Sequence, residues 1–279
     1  PEAVKTMLFD FTTIEAACRT VSATIAAGIV PAAMEIMDSH TTKLVEAWLH
    51  LGLPLDAGAV LLIEVDGPAA ALGGQVERIT ALAGVEGTRS VRIARDDAER
   101  AAIWRGRKSA FGAYGRTGMG FYIMDGVVPR TRLAEALANI YRLCGERALA
   151  AGNVFHAGDG NLHPHVLFDA DQPGAQARAL EVSHEILRMC IRMGGTISGE
   201  HGVGMEKRSM MSELFAPADL ALMERVRDAL NPDHLLNPGK ILPGGGGCRE
   251  DGTAPGQRPG QPAQLGGTGA RADIEGAWI

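Results

Sequence analysis

A chain of 279 residues with 46% hydrophobic side chains and a formal net charge of −6 carries enough apolar material for one sizeable core, and it reads as soluble and globular. The acidic balance argues against a nucleic-acid partner, and apolar runs such as residues 57–65 end well short of a membrane span. No secretory leader is visible, and Cys18, Cys144, Cys190 and Cys248 are widely spaced without a CxxC, which predicts reduced thiols in a cytoplasmic protein rather than disulfides or an iron–sulfur site within the chain.

In chain order, Leu8 to Phe11 predicts a strand and Thr13 to Ala27 a helix, with Thr12 and Thr13 as candidate caps, Ile14, Ala17, Cys18, Val21 and Ile25 on one stripe and Gly28 as the stop. Pro31 to Met37 predicts a second strand, which Asp38, Ser39 and His40 turn into a helix ending near Leu49. Ala57 to Val65 reads as a strand buried on both faces, closed by Asp66 and Gly67. A helix over Ala69 to Ala83 and a strand over Ser90 to Ala94 complete the order strand, helix, strand, strand, helix, strand. That order belongs to a ferredoxin-like α+β unit with an antiparallel sheet.

Asp96 to Arg107 predicts a strongly charged helix whose simplest reading is a solvated face with salt bridges to Asp96, Asp97 and Glu99. A sharper reading singles out Arg107, which follows the apolar anchor Trp104 and precedes AFGAYGRTGMG, a Gly-rich loop suited to the wall of a site. A guanidinium grips a carboxylate through two parallel hydrogen bonds. Gly120 to Val128 predicts a strand ended by Pro129, and Arg130 to Ala150 a helix stopped by Gly152.

The stretch NVFHAGDGNLHPH, residues 153–165, has the apolar–turn–apolar form of a β-hairpin. With Asp159 and Gly160 at its centre, the register pairs His156 with His163, close enough for both rings to reach one ion, and His165 points to the same face. A helix opened by Asp171 and Pro173 and ended by Gly194 and Gly195 then lets GGTISGEHGVG, residues 194–204, return as a neighbouring strand. There Glu200 completes a His156, His163, Glu200 metal set with an open position, and His201, facing the other way where strand gives place to a helix over Met205 to Leu214, acts as a base. Four of the eight histidines fall in these two turns, which favours a site over scattered core or surface histidines. Leu214 to Leu230 predicts a last helix and Asn231 to Pro243 a turn-rich exit; residues 1–243 form one unit, and residues 244–279 read as a disordered Gly/Pro-rich tail.

FHAGDGNLHP, SGEHGVGMEK and NPGKILP, in that order, resemble the C-terminal half of the flavin-linked D-2-hydroxyacid dehydrogenases, the family of the catalytic D subunit of bacterial glycolate oxidase. The resemblance implies a cap domain and FAD held mainly by an upstream domain; the start at Pro1 without an initiator Met and the lack of GxGxxG or a P-loop agree with such a domain lying outside this chain. It implies Arg107, in its WxxR setting, as the holder of the substrate carboxylate, and Asn237 as a contact to the flavin. On this reading a divalent metal, zinc or manganese, would assist oxidation of glycolate or D-lactate to the 2-oxoacid, with His201 as the expected base. The implied partners are the other glycolate oxidase subunits, an iron–sulfur protein among them, with no membrane span but a possible peripheral place at the inner membrane. His165 stands where relatives often have an apolar residue or Asn, so a substrate contact, a fourth ligand and a supporting group are all open to it. Two other classes compete: a metal-dependent hydrolase using the same three ligands with His201 as base, against which the NPGK exit speaks, and a non-catalytic metal-binding module.

Overall fold

A computed structural model describes residues 1–243; the expected tail of residues 244–279, with Cys248, lies outside the described residues. The chain begins with β1 (Ala3–Phe11), α1 (Ile14–Ala26), β2 (Ala33–Asp38), α2 (Ser39–Leu49), β3 (Ala59–Gly67), α3 (Ala69–Val85) and β4 (Thr88–Ile93). Of the candidate caps Thr12 and Thr13 it is Thr13 that caps α1, its Oγ1 accepting the N–H of Ala16 at 3.3 Å, and at the start of α2 Asp38 Oδ1 accepts that of Thr41 at 2.8 Å. The four strands pair in the order β4-β1-β3-β2, every neighbour antiparallel, which is the ferredoxin-like arrangement expected, with α2 inserted between β2 and β3.

Alternation along the strands divides the core. Met7, Phe9, Phe11, Leu61 and Ile63 face one side of the sheet, where they meet residues of α1 and α3, while Leu8, Val60 and Leu62 face the other and meet Val45 of α2. The sheet is therefore covered on both faces, as the uninterrupted apolar run of β3 predicts. Each of these fully buried side chains contributes about 1.5–3 kcal/mol through removal of apolar surface from water.

Next come α4 (Asp97–Lys108) and α5 (Ala110–Gly115). The first is mostly polar, yet it lies against the sheet. Arg100, Trp104 and Arg107, spaced to share one face of the helix, reach two carboxylates that rise from inner strands: Arg100 and Trp104 bond Glu64 on β3, and Arg107 bonds Glu35 on β2. The simple reading of a solvated charged face holds for Arg95, which pairs with Glu99, and for the exposed Arg105 and Lys108. The Gly-rich stretch after Arg107 is not wholly loop, since α5 takes up its first half and buries Ala110, Ala113 and Tyr114.

The second half of the chain repeats the plan. It consists of β5 (Gly120–Ile123), β6 (Gly126–Val127), α6 (Leu133–Glu146), β7 (Ala150–His156), β8 (Asn161–Leu162), β9 (Pro164–Phe168) and α7 (Ala175–Arg192), followed by an antiparallel bridge from Thr196 to Val127. If the broken strands β5/β6 and β8/β9 are each counted as one, the spatial order from the edge inward is Thr196, β5/β6, β8/β9, β7, which mirrors the first unit. The two units join edge to edge, β2 against β7, in one nine-stranded sheet, with Glu35 opposite His156. Cys18, Cys144 and Cys190 are buried free thiols. Among the described residues no helix is long and apolar enough to cross a membrane.

Several expectations are corrected. The strand predicted over residues 120–128 breaks at Met124 and Asp125, and the helix predicted over residues 130–150 ends at Glu146, where Ala148 takes a left-handed conformation and β7 begins. The hairpin turn spans residues 157–160, so His156 faces Asn161 and not His163. The longer turn arises because Ala157 and Gly158 both donate to Met34 O, while Asp159 Oδ1 accepts the N–H of Asn161. The returning segment makes a single bridge at Thr196 with β6 between it and the hairpin, so it is not the hairpin's neighbour. Residues 205–214 form turns and the short α8 (Met211–Leu214), and the last helix, α9 (Pro217–Leu230), starts at Pro217 as a proline at the first helical position favours.

Candidate functional site

The breaks in β5/β6 and β8/β9 lie side by side, since Met124 N donates to Pro164 O. They place Asp125 and His163 where regular strands would have carried a ladder. Asp125 is fully buried, and its carboxylate gathers the returning segment: it accepts from Ser198 Oγ at 2.7 Å and from the backbone N–H groups of Gly199, Glu200 and His201, the last at 2.8 Å. Lys207 Nζ lies 3.4 Å away. Burial alone would raise the Asp125 pKa, but His163, the Ser198 hydroxyl, the His201 N–H and Lys207 outweigh it and hold the group strongly below the usual carboxylate range.

Held in this way, Glu200 reaches both hairpin histidines, with Oε1 3.3 Å from His156 Nε2 and 3.2 Å from His163 Nε2. The His156 and His163 rings stand nearly perpendicular at 5.1 Å between centroids. Their register makes them diagonal neighbours, not opposite partners, yet both rings end on one face of the hairpin as predicted. His163 Nε2 is buried and makes no hydrogen bond among the described residues, an orphaned donor or acceptor facing two other ligand-type atoms. The ligand atoms of His156, His163 and Glu200 lie within 4.8 Å of one another, and those of Asp125, His163 and His201 form an overlapping group.

The expected divergence of Glu200 and His201 is not found. His201 Nε2 lies 3.8 Å from Glu200 Oε1, and the His201 ring stacks on His163 at 5.0 Å. The segment is a turn fixed by Asp125, so its consecutive side chains need not alternate. Glu200 and His201 are about half exposed, at 50% and 46%, so the cluster has a buried back at Asp125 and His163 and an open front.

Behind His156 stands Glu35, buried in the middle of the apolar β2. Its Oε1 lies 2.7 Å from His156 Nδ1, and its Oε2 accepts from Arg107 Nε at 2.8 Å. The Glu35 carboxylate raises the His156 pKa against the lowering effect of burial and of Arg107. Arg107 makes its bond through Nε; its two Nη nitrogens make no hydrogen bond among the described residues.

Two of the sequence-predicted residues stand apart from the metal-type cluster. His165 is buried, its ring stacked on Tyr114 at 4.0 Å and its Nδ1 2.9 Å from His163 O. Burial, with His163 and Arg107 nearby, lowers its pKa to about 4, so the ring is neutral near pH 7. Asn237 lies in the exit turn in a left-handed conformation, and its Oδ1 accepts from Lys240 Nζ. That turn is tied to the segment following His201, because Ile241 N donates to Gly204 O at 2.8 Å and Arg208 Nη1 to Gly239 O at 2.6 Å.

Sequence reasoning missed Glu35 and Asp125. The signal available for each was a carboxylate within an otherwise apolar strand, AMEIMD and GFYIMDGV, a placement that requires a paired partner.

Comparison with known proteins identifies the family and the fold. Residues 1–241 match the family described as FAD linked oxidases, C-terminal domain. The chain is 43% identical over 252 residues to glycolate oxidase subunit GlcD of Escherichia coli K12, covering 90% of this chain and 50% of that protein. It is 27% identical to the mitochondrial D-lactate dehydrogenase [cytochrome] of Arabidopsis thaliana, over 84% of this chain and 41% of that protein. Among solved structures, 4-ethylphenol oxidase from Gulosibacter chungangensis superposes with a TM-score of 0.64 at 16% identity, covering 87% of this chain and 54% of that one, which shows a shared fold. The chain thus spans about half the length of the curated relatives it matches. It belongs to the FAD-linked oxidases as their C-terminal domain.

Proposed function

We propose that this chain is the substrate-binding and ion-binding half of a flavin-dependent oxidoreductase that converts a small 2-hydroxyacid, glycolate or D-lactate, to the 2-oxoacid. One observation carries the reading: His156, His163 and Glu200 converge within 4.8 Å, in a site whose neighbouring guanidinium, Arg107, has both Nη nitrogens free of protein partners among the described residues. The donor set fits a divalent cation such as zinc or manganese, because two imidazole nitrogens and one carboxylate oxygen leave a position for substrate, and because the buried His163 Nε2 otherwise lacks a partner. When bound, the cation would act as a Lewis acid toward the substrate hydroxyl, and FAD from the upstream half would accept the hydride equivalent from Cα.

This chain's residues do the rest. Arg107 grips the substrate carboxylate end-on through Nη1 and Nη2, a geometry that two parallel charge-assisted hydrogen bonds make specific. His201, exposed at the front, takes the hydroxyl proton on an imidazole nitrogen. His165, buried and stacked on Tyr114 with Nδ1 beside His163 O, backs the site from behind, and the exit turn carries Asn237 toward the flavin. Electrons leave through further subunits, an iron–sulfur protein among them; the relative's name as a subunit of glycolate oxidase supports such a complex.

Elemental analysis of the 279-residue chain, purified with zinc or manganese, gives one ion per chain on this reading. The flavin-loaded longer protein reduces a redox dye when given glycolate or D-lactate. An ion-free chain, or dye reduction unaffected by Arg107→Ala, overturns it.

A further inference from the structure

We infer that Glu35 is a positioning residue that couples the ion-binding and carboxylate-binding parts of the site, holding His156 ready as a ligand with one oxygen and aiming Arg107 with the other. The inference rests on the reading of the site given above. Glu35 sits at the join of the two repeated units, directly opposite His156 in the β2–β7 ladder, and its side chain is about 8% exposed. An ionised carboxylate only accepts hydrogen bonds, so facing it fixes the proton of a neutral His156 on Nδ1 and leaves the Nε2 lone pair toward Glu200 and His163. The same carboxylate takes the Nε–H of Arg107 and, because the guanidinium is planar and rigid, sets the direction in which both Nη nitrogens point. Ring and guanidinium therefore share a single anchor, although one is carried by β7 and the other by α4.

A glutamine in this place has one acceptor oxygen and presents an amide N–H₂ to the second partner, so only one of the two donors can be satisfied. Glu35→Gln is nearly the same shape and tests the electronic role. Glu35→Asp keeps the charge that the partly buried Arg107 needs and is one methylene too short to span both partners.

Imidazole ¹⁵N–¹H spectra of the metal-free 279-residue chain, recorded where the ring is neutral, report the His156 tautomer. Wild type is expected as Nδ1–H and Glu35→Gln as Nε2–H or a mixture. Calorimetric titration with zinc is expected to give a Kd about 10–100-fold weaker for Glu35→Gln, the usual effect of removing a carboxylate behind a ligating histidine, with Glu35→Asp between the two. A role confined to fold stability would lower the melting temperature and leave both the tautomer and the zinc affinity of the folded variant unchanged, and that result overturns the inference. A wild-type chain that binds no zinc overturns the ion assignment under Proposed function, while the tautomer still decides the role of Glu35.

Discussion

The carboxylate of Asp125 accepts the backbone N–H of His201 from 76 positions upstream, at 2.8 Å. Together with Ser198, Gly199, Glu200 and the nearby Lys207 ammonium, this makes one buried acceptor responsible for the shape of the whole turn. Asp125→Ala would leave those donors without a partner and strand a buried cation, a change that costs about 3–5 kcal/mol. Urea unfolding measures the loss. Faster amide hydrogen exchange at Gly199 to His201 in the milder Asp125→Asn variant checks the mechanism, and exchange as slow as wild type would show that the turn holds its own shape.

Glu200 and His201 divide between ion and substrate in the proposed site. Removing Glu200 deletes an oxygen that lies within 3.3 Å of both hairpin nitrogens, so Glu200→Ala should lose its ion. His201→Ala should keep the ion and, in the flavin-loaded protein, lose about 10²–10⁴ in turnover, the usual contribution of a positioned base. Ion content by elemental analysis decides between the two. The opposite pattern would make the overlapping group of Asp125, His163 and His201 the true ligands.

Glu64 should make stability depend on pH. Burial would raise its pKa, but hydrogen bonds from Arg100, Thr6 and Trp104 outweigh burial and hold it below the ordinary glutamate value of 4.5. A carboxylate with a depressed folded pKa adds stability that is present above the unfolded pKa and is lost as pH falls through the folded one. The stability gap between wild type and Glu64→Gln should thus be full at pH 7 and narrow below about pH 4.5. Denaturant melts at both pH values test this; a gap that stays constant would remove ionisation from the account.

The three described thiols should be inert in the folded chain. Burial pushes Cys18 and Cys190 up to about 12 and Cys144 up to about 11, so almost no thiolate exists near neutral pH. Mass spectrometry after brief alkylation should find these cysteines unmodified unless denaturant is present. Rapid native alkylation of any one would place it outside the core.

Local signals were the legible ones. Thr13 and Asp38 announce their helices through side chains that accept from residues three positions away, and the double burial of β3 shows in its unbroken apolar run. The His156, His163 and Glu200 constellation was readable because the turn residues around it are few and distinctive. The pairing within it was not, because Met34, on another strand, draws two N–H groups of the turn and lengthens it. The second ferredoxin-like unit was hidden for a related reason: two of its strands break at the site and the fourth shrinks to one bridge at Thr196, so periodicity never accumulates. The spacing of Arg100, Trp104 and Arg107 marks one helical face, but nothing local says that the face meets carboxylates at Glu64 and Glu35 instead of water.

The join between β2 and β7 also bears on how the chain emerges and folds. Glu35 meets His156 only across 121 positions, so the first unit can close its own sheet while β2 is still a bare edge. An unpaired, apolar strand of this kind invites another nascent copy to dock along it. Two chains pairing through β2 would bury a pair of like-charged carboxylates in one apolar sheet, a strongly disfavoured outcome. The charge in the middle of β2 thus works as a gatekeeper against self-association until β7 and α4 arrive with the histidine and arginine that complement it.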